Sequence, residues 1–235
     1  MRKMFCALFA AASFWAVPSA HGYIMFHSVA EGLHITSDNA ILADIAMETL
    51  LDNKGDGKAK SKPAKSNAVS TAIAKPSGNA GIEMLVAGYQ DGQKAEARKV
   101  FAQMIDMSEP VTQQLDVPAH DMGSAAAALI AGSYAACKNK ILPNEYFKPL
   151  TSQMQRAFAH DAKFSRMSDT EKQRMYQILI GIGMFLTMAQ MENMKNPDAQ
   201  ITAQLQSAGG EFLRQFTHLD PASIRLDENG LNQAR

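Results

Sequence analysis

The chain has 235 residues, of which 46% are hydrophobic and 20% are charged, and its 23 Lys and Arg residues balance its 23 Asp and Glu residues. This apolar fraction, together with 11 Phe residues, is sufficient for a packed core and excludes a wholly disordered chain. The net charge of zero argues against a nucleic-acid-binding protein, since such proteins carry an excess of basic residues. The two cysteines, Cys6 and Cys137, are too few for a disulfide framework or a thiolate metal site.

The first 20 residues have the pattern of a secretory signal peptide. A basic start precedes an apolar run of 14 residues, 4–17, which suits a signal peptide and is shorter than the roughly 20 residues that a membrane-spanning helix needs. Ser19 and Ala20 then supply small residues for cleavage. We therefore expect a bacterial protein that is periplasmic or secreted, with no transmembrane span after cleavage and with Cys137 as its single thiol. An uncleaved anchor is the alternative.

Residues 21–51 form a short N-terminal segment of the expected mature chain. Apolar residues recur near helical spacing after Asp38, which predicts one helix. Three histidines in this segment show no clear periodicity: His21, His27 and His34. We assign no role to them from the sequence.

Residues 52–80 have the composition of a flexible linker. They contain six lysines, two prolines and no aromatic residue, which is too polar to offset the entropy cost of ordering the chain. A solvated linker is therefore expected. The alternative is a weak electrostatic contact between these lysines and an anionic surface of the cell envelope.

Residues 81–219 are predicted to form a compact helical bundle of about five to six helices, followed by a C-terminal tail, residues 220–235. Apolar residues recur at helical spacing through this region, and strand-like alternation is nearly absent from the sequence. This pattern indicates an all-α fold. The expected boundaries are a turn at Asp91-Gly92, a helix end at Pro110, helix starts near Asp116 and Pro149, and a helix end before Pro197.

The longest predicted helix begins at a capping box and contains the centre of the core. Ser168 is followed three residues later by Glu171, which is the spacing of that motif, and the helix is expected to end near Lys195. Residues 178–186 are apolar on every face, which predicts a central position in the bundle. This run is too short to cross a membrane.

The helix expected from Asp116 to about Lys138 has a different pattern, because small residues recur in it every four positions. These residues are Gly123, Ala127, Ala131 and Ala135. Small side chains on one face predict that a neighbouring helix approaches closely.

Three segments of the bundle region form a recognisable pattern. In chain order they are Gly132-Ser133-Tyr134 at the end of an alanine-rich helix, Ser168-Asp169-Thr170-Glu171-Lys172-Gln173-Arg174, and Ile224-Arg225-Leu226-Asp227-Glu228-Asn229-Gly230-Leu231. Together they resemble a family of exported, helical bacterial proteins catalogued as a domain of unknown function. The resemblance implies a helical fold and an exported protein. It implies no catalytic residue, because none is known for the family.

The ionisable residues that could support chemistry are two copies of Ala-His-Asp. Antiparallel consecutive helices would direct His120-Asp121 and His160-Asp161 towards the same end of a helical hairpin. Two imidazoles and two carboxylates are ligands that zinc, manganese or iron accept. The favoured alternative is that Asp121 at a helix start and His160 at a helix end interact with the helix dipoles without any metal. We therefore expect no cofactor and keep a divalent metal at these four residues as the second hypothesis.

Two further candidates involve sulfur. Met184, Met188 and Met191 share one face of the longest helix with Met194 beyond them, and thioethers could hold Cu(I), although methionine is more often a core residue. Cys137 lies beside Lys138, which could lower the pKa of its thiol. An inert thiol is the favoured interpretation, because no His or acidic residue lies next to Cys137 in the sequence.

The motif inventory favours a non-catalytic function. The sequence contains no hydrolase elbow, phosphate loop, zinc-protease helix or paired-thiol motif. We therefore expect a module that binds an unknown protein or envelope partner, or that scaffolds an envelope assembly, and that does not bind nucleic acid. The alternative is a metal-binding protein or metal-dependent enzyme that uses the two His-Asp pairs.

Overall fold

The computed structural model describes residues 69–233, which form seven α-helices, two 3-10 turns and one β-hairpin. The helices are α1 Ala80–Val86, α2 Asp91–Gln114, α3 Met122–Cys137, α4 Phe147–His160, α5 Ala162–Arg166, α6 Asp169–Lys195 and α7 Ala199–Thr217. The 3-10 turns are Asn144–Tyr146 and Pro221–Ser223, and the strands are β1 Ile224–Asp227 and β2 Gly230–Gln233. The prediction of a compact, almost entirely helical fold is confirmed, with the short α5 as an additional helix.

The predicted signal peptide, the helix expected after Asp38 and the first part of the predicted linker lie outside the described residues. The early histidines lie outside them as well. Of the helices between residues 69 and 233, none combines the length and the apolar character needed to cross a bilayer.

Helix α6 lies at the centre of the bundle and contacts α1, α2, α3 and α7. All residues from Ile178 to Leu186 are buried, as their apolar run predicted. The helix begins at the predicted capping box, in which Ser168 accepts a hydrogen bond from the Glu171 N–H and the Glu171 side chain accepts one from the Ser168 N–H. These paired bonds satisfy backbone groups that a helix start leaves without intrahelical partners.

Helix α3 lies against α4, α6 and α7 and has 14 of its 16 residues buried. Its backbone meets that of α6 where Gly132 faces Gly183, and a methyl group on Gly183 would lie 2.5 Å from the backbone of Ala128. On another side Gly209 of α7 lies against the backbone of Ser133 and Cys137. Of the predicted column of small residues, Gly123 is approached closely by α4, because an added methyl group there would lie 2.7 Å from the backbone N of Gln155. The close approach of α6 falls instead at Gly132, outside that column.

Helix α2 continues through Pro110 to Gln114, so the predicted end at Pro110 is wrong. A proline in a helix has no N–H group and so removes one hydrogen bond from the helix. Here the helix continues for only four residues after Pro110 and tolerates this loss. Ser108 and Thr112 lie on either side of the proline, and their hydroxyl groups donate hydrogen bonds to the carbonyls of Ile105 and Glu109. The turn predicted at Asp91-Gly92 falls instead just before Asp91, the first residue of α2.

Residues 69–75, which we call the strap, were predicted as linker but lie against the ends of two helices. The Val69 N–H donates to the carbonyl of Ala159 at the end of α4 over 3.0 Å, and the Met122 N–H at the start of α3 donates to the carbonyl of Thr71 over 2.9 Å. The Ile73 N–H donates to the carbonyl of His120 over 2.8 Å. Helix ends leave backbone groups without intrahelical partners, and the strap satisfies several of them at once.

The segment predicted as a tail contains the β-hairpin, in which Ile224, Leu226 and Leu231 are buried. One amide side chain adds two hydrogen bonds to this apolar contact. Gln153 of α4 donates to the carbonyl of Leu231 over 3.0 Å and accepts from the N–H of Leu231 over 2.7 Å. The amide therefore pairs with β2 as a neighbouring strand would.

Helix α1 is attached to the bundle in the same way by Gln177 of α6. This side chain accepts from the Gly81 N–H over 2.8 Å and donates to the carbonyl of Gly78 over 2.5 Å. The two contacts satisfy backbone groups at the start of α1.

The contact between α3 and α6 predicts that Gly183→Ala is strongly destabilising. The added methyl group would overlap the backbone of α3, and overpacking of this kind costs about 1 to 3 kcal/mol of unfolding free energy. Gly92→Ala is the matched control, because no atom lies within 4 Å of the added methyl group and alanine favours a helix by up to about 1 kcal/mol. Chemical denaturation followed by circular dichroism measures both, and equal effects of the two variants would contradict the packing described.

Candidate functional site

The two predicted His-Asp pairs lie at helix ends, and both carboxylates cap helices. Asp121 is 2% exposed and accepts hydrogen bonds from the Ser124 N–H over 2.9 Å and from the Thr71 hydroxyl of the strap over 2.5 Å. Asp161 caps α5 by accepting from the N–H of Phe164. His160 is the last residue of α4 and is exposed. These positions agree with the helix-end alternative.

His120 lies between α2 and α3 in a left-handed backbone conformation with φ of 49°. Its side chain is 22% exposed, and its Nε2 lies 3.6 Å from Oε2 of Glu109. The ring packs edge-on against Tyr176, with 6.0 Å between ring centroids, and within the described chain Nδ1 is buried without a hydrogen-bond partner. Left-handed conformations are uncommon for residues other than glycine, and here the strap bond to the His120 carbonyl helps to hold this one.

The groups around His120 belong to α2, α6 and the strap, and we call them with His120 the His120 cluster: Lys75, Ser108, Glu109, His120 and Tyr176. The hydrogen bond from Lys75 Nζ, at 3.0 Å, lowers the pKa of the Glu109 carboxyl. Burial raises the pKa of the Tyr176 hydroxyl, and its hydrogen bonds to the Ser108 side chain and to the His120 backbone partly oppose this effect. Ser108 of α2 and Tyr176 of α6 are both only 1% exposed, so solvent does not reach them. The cluster therefore mainly holds α2, α6 and the strap together.

The metal hypothesis receives no support from this geometry. Between residues 69 and 233 no three His, Cys, Asp or Glu side chains are grouped so that they could hold a metal ion. His120 has Glu109 as its acidic neighbour, and Asp121 and Asp161 bind backbone N–H groups. The sequence missed Glu109 and Tyr176 because only the fold brings them beside His120.

An open cleft of about 530 Å³ lies between the end of α2 and the beginning of α4. Seven residues line it: Gln114, Leu115, Asn144, Glu145, Lys148, Pro149 and Ser152. Asp116, with φ of 53°, turns the chain away from α2, and its carboxylate binds Lys148 at 2.5 Å at the side of the cleft. Pro149 lies in the first turn of α4, where a proline is tolerated. No motif in the sequence marks this cleft, since its residues come from two separate turns.

The methionine and cysteine candidates differ in how deeply they are buried. Met184 is buried, whereas Met194 is 45% exposed, so the methionine series runs from the core to the surface. Burial raises the pKa of the Cys137 thiol, with smaller opposing effects from Lys138 and Arg214. The raised pKa agrees with the favoured interpretation of an inert thiol and argues against a lowered pKa, because desolvation outweighs the neighbouring positive charges.

Comparison with known proteins identifies one family. Residues 4–233 match the model of a family of unknown function, DUF6683. The match covers nearly the whole chain, including most of the residues before the strap. Neither the curated proteins nor the solved structures yield a match.

The capping role of Asp121 predicts that Asp121→Ala lowers the free energy of unfolding by about 2 to 3 kcal/mol. The variant loses an N-cap and leaves the Thr71 hydroxyl buried without its acceptor. His160→Ala should change stability by less than about 0.5 kcal/mol, since His160 is exposed. Urea titration measures both. A large loss with His160→Ala, or none with Asp121→Ala, would show that the pairs have another role.

The raised pKa of Cys137 predicts slow alkylation. At a given pH the thiolate, which is the reactive form, is a smaller fraction in the folded protein than in the unfolded one. The test uses a Cys6→Ser variant, in which Cys137 is the only thiol, and iodoacetamide as the reagent. The reaction rate rises with pH until the thiol is fully ionised, and this plateau should come at a higher pH for the folded protein in buffer than for the unfolded protein in denaturant. The two pH profiles, followed by mass spectrometry, test this, and a folded-state profile at lower pH would contradict it.

Proposed function

The chain belongs to DUF6683, a family of unknown function, and for this member we propose a non-catalytic role in the bacterial envelope. After export, the helical bundle binds a protein partner or scaffolds an assembly there. The signal-peptide pattern of the first 20 residues supports this location, periplasmic or secreted.

The observation that carries the proposal is the chemical character of the open cleft. Its seven lining residues contain one carboxylate, Glu145, and one amine, Lys148. Lys148 is paired with Asp116, and among the described contacts the Ser152 hydroxyl of this lining makes no hydrogen bond to a general base, as an activated nucleophile would. The lining supports recognition better than chemistry.

The lining also suits a peptide segment of a protein partner. The amides of Gln114 and Asn144 offer donors and acceptors to a peptide backbone, and both side chains are exposed. Leu115 and Pro149 are half-buried and offer apolar contact between these amides. An open cleft with apolar and amide groups is compatible with an extended or turn segment of a partner.

Three carboxylates outside the cleft have structural partners within the fold. Asp121 and Asp161 cap helices, and Glu109 binds Lys75 of the strap. These three carboxylates stabilise the fold, which supports a non-catalytic role.

Site-specific photo-cross-linking tests the proposal. A benzoylphenylalanine at Ser152 in the cleft should give an adduct with one defined protein in cells of the native host. The matched control is the same group at Ala203, which is exposed on α7 and outside the cleft lining. The adduct should be absent at Ala203 and should sediment with envelope fractions.

Two results would overturn the proposal. One is equal cross-linking at Ser152 and Ala203, which would mean that adducts form by random collision. The other is the lack of any adduct at Ser152 in all cell fractions.

A further inference from the structure

Two of the seven residues that line the cleft are charged, Glu145 and Lys148, and only the lysine is compensated within the fold. Lys148 Nζ lies 2.5 Å from the Asp116 carboxylate, and this hydrogen bond lowers the pKa of the Asp116 carboxyl. Both members of the pair are therefore charged at neutral pH. Glu145 is exposed and makes no ion pair among the described contacts. The cleft thus has one uncompensated negative charge.

The end of α2 adds negative potential to the same cleft. A helix carries a partial negative charge at its C-terminal end, and the 24-residue α2 has no basic residue in its last turn. Gln114 and Leu115, at this end, both line the cleft. A helix end without a basic side chain of its own favours a cation that comes from outside.

The backbone carbonyls at this end of α2 are also available. In a longer helix the Gln114 carbonyl would accept from the N–H four residues later, but Pro118 has no N–H. Among the hydrogen bonds of the described residues, none is accepted by the carbonyl of Gln114 or of Leu115. Helix ends pass such groups to side chains, water or a ligand. The residues of the cleft therefore supply two carbonyl oxygens and one carboxylate as hydrogen-bond acceptors.

An arginine side chain matches these acceptors. Its planar guanidinium has five N–H donors and no acceptor, and it pairs with a carboxylate through two parallel hydrogen bonds. Three donors then remain for the carbonyls. The apolar stem of an arginine packs on apolar surface, which the half-buried Leu115 and Pro149 provide. Arginine is also enriched among the residues that dominate the binding energy of protein interfaces.

We propose that the cleft binds an arginine side chain of its protein partner, with Glu145 paired to the guanidinium and the carbonyls at the end of α2 accepting its remaining donors. The inference rests on the proposed function of the cleft and adds the chemical feature by which the partner is recognised. Glu145 is then the residue that determines specificity. A segment without a basic residue leaves its charge uncompensated and binds more weakly.

Selection from a random heptapeptide library displayed on phage tests the inference, with the purified full chain as the immobilised target. The enriched peptides should share an arginine. Selection on Glu145→Lys should replace this arginine by Asp or Glu, because like charges repel each other across an interface. The matched control is Glu228→Lys, which makes the same charge change at the exposed turn of the hairpin and should enrich the same peptides as the wild-type chain.

Fluorescence polarisation with the most enriched peptide measures the size of the effect. Replacing its arginine by citrulline, which keeps the shape and removes the charge, should weaken binding about tenfold to 100-fold, as expected for hydrogen bonds to a charged group. Glu145→Gln should weaken binding of the arginine peptide by a similar factor and should leave binding of the citrulline peptide unchanged, since the two groups act as a pair. Circular dichroism confirms that the variants fold.

Three results would overturn the inference: enrichment of no peptide or of peptides without a shared arginine, the same response to Glu145→Lys and Glu228→Lys, or additive effects of Glu145→Gln and citrulline. Cross-linking at Ser152 in cells distinguishes the two proposals. An adduct that forms equally well in the Glu145→Lys variant removes the arginine and leaves the cleft as a binding site. The lack of any adduct at Ser152 in the otherwise native chain removes both.

Discussion

The close contact of α3 with α6 is the constraint on which the rest of the structure depends. At Gly132 and Gly183 the two backbones touch with no side chain between them, and α3 is buried along almost its whole length. A buried helix with mostly small side chains contributes little apolar surface of its own, so its stability comes from neighbours that approach its backbone closely. The positions of α4 and α7, which also pack on α3, follow from this contact.

Polar side chains in the described part of the chain attach peripheral segments to that helical centre. Gln153 binds the hairpin, Gln177 binds α1, and Asp121 binds both α3 and the strap. Each of these residues is buried and has its hydrogen bonds satisfied by backbone or hydroxyl groups, as burial requires. These buried polar side chains therefore stabilise the fold, whereas the cleft between α2 and α4 is open to solvent.

The sequence predicted the features that depend on local pattern. The capping box at Ser168, the central position of residues 178–186 and the close approach of α4 at Gly123 all follow from spacing within one helix. It did not predict the strap, the hairpin or the contact of α6 with Gly132, which depend on residues far apart in the chain. Residues 69–75 were assigned to a linker by composition, yet they are ordered because two helix ends leave backbone groups for them to bind.

The candidate site also combines residues that local pattern identifies with partners that only the fold brings near. The sequence identified His120 and Asp121 by residue type, but the partners that define their surroundings, Glu109 and Thr71, come from α2 and the strap. Pro110 shows the opposite error, because a strong local rule was overridden by a helix that continues for one more turn. Local patterns predicted the capping residues Ser168 and Asp121 better than they predicted which side chains would meet.

The strap also determines how mechanical load would reach the bundle. A force on the chain before Val69 would reach the bundle through the strap, whose hydrogen bonds to Ala159, Met122 and His120 follow one another along the chain. The strap would then detach bond by bond, starting at Val69. The buried contact between α3 and α6 would stay intact while the strap comes away.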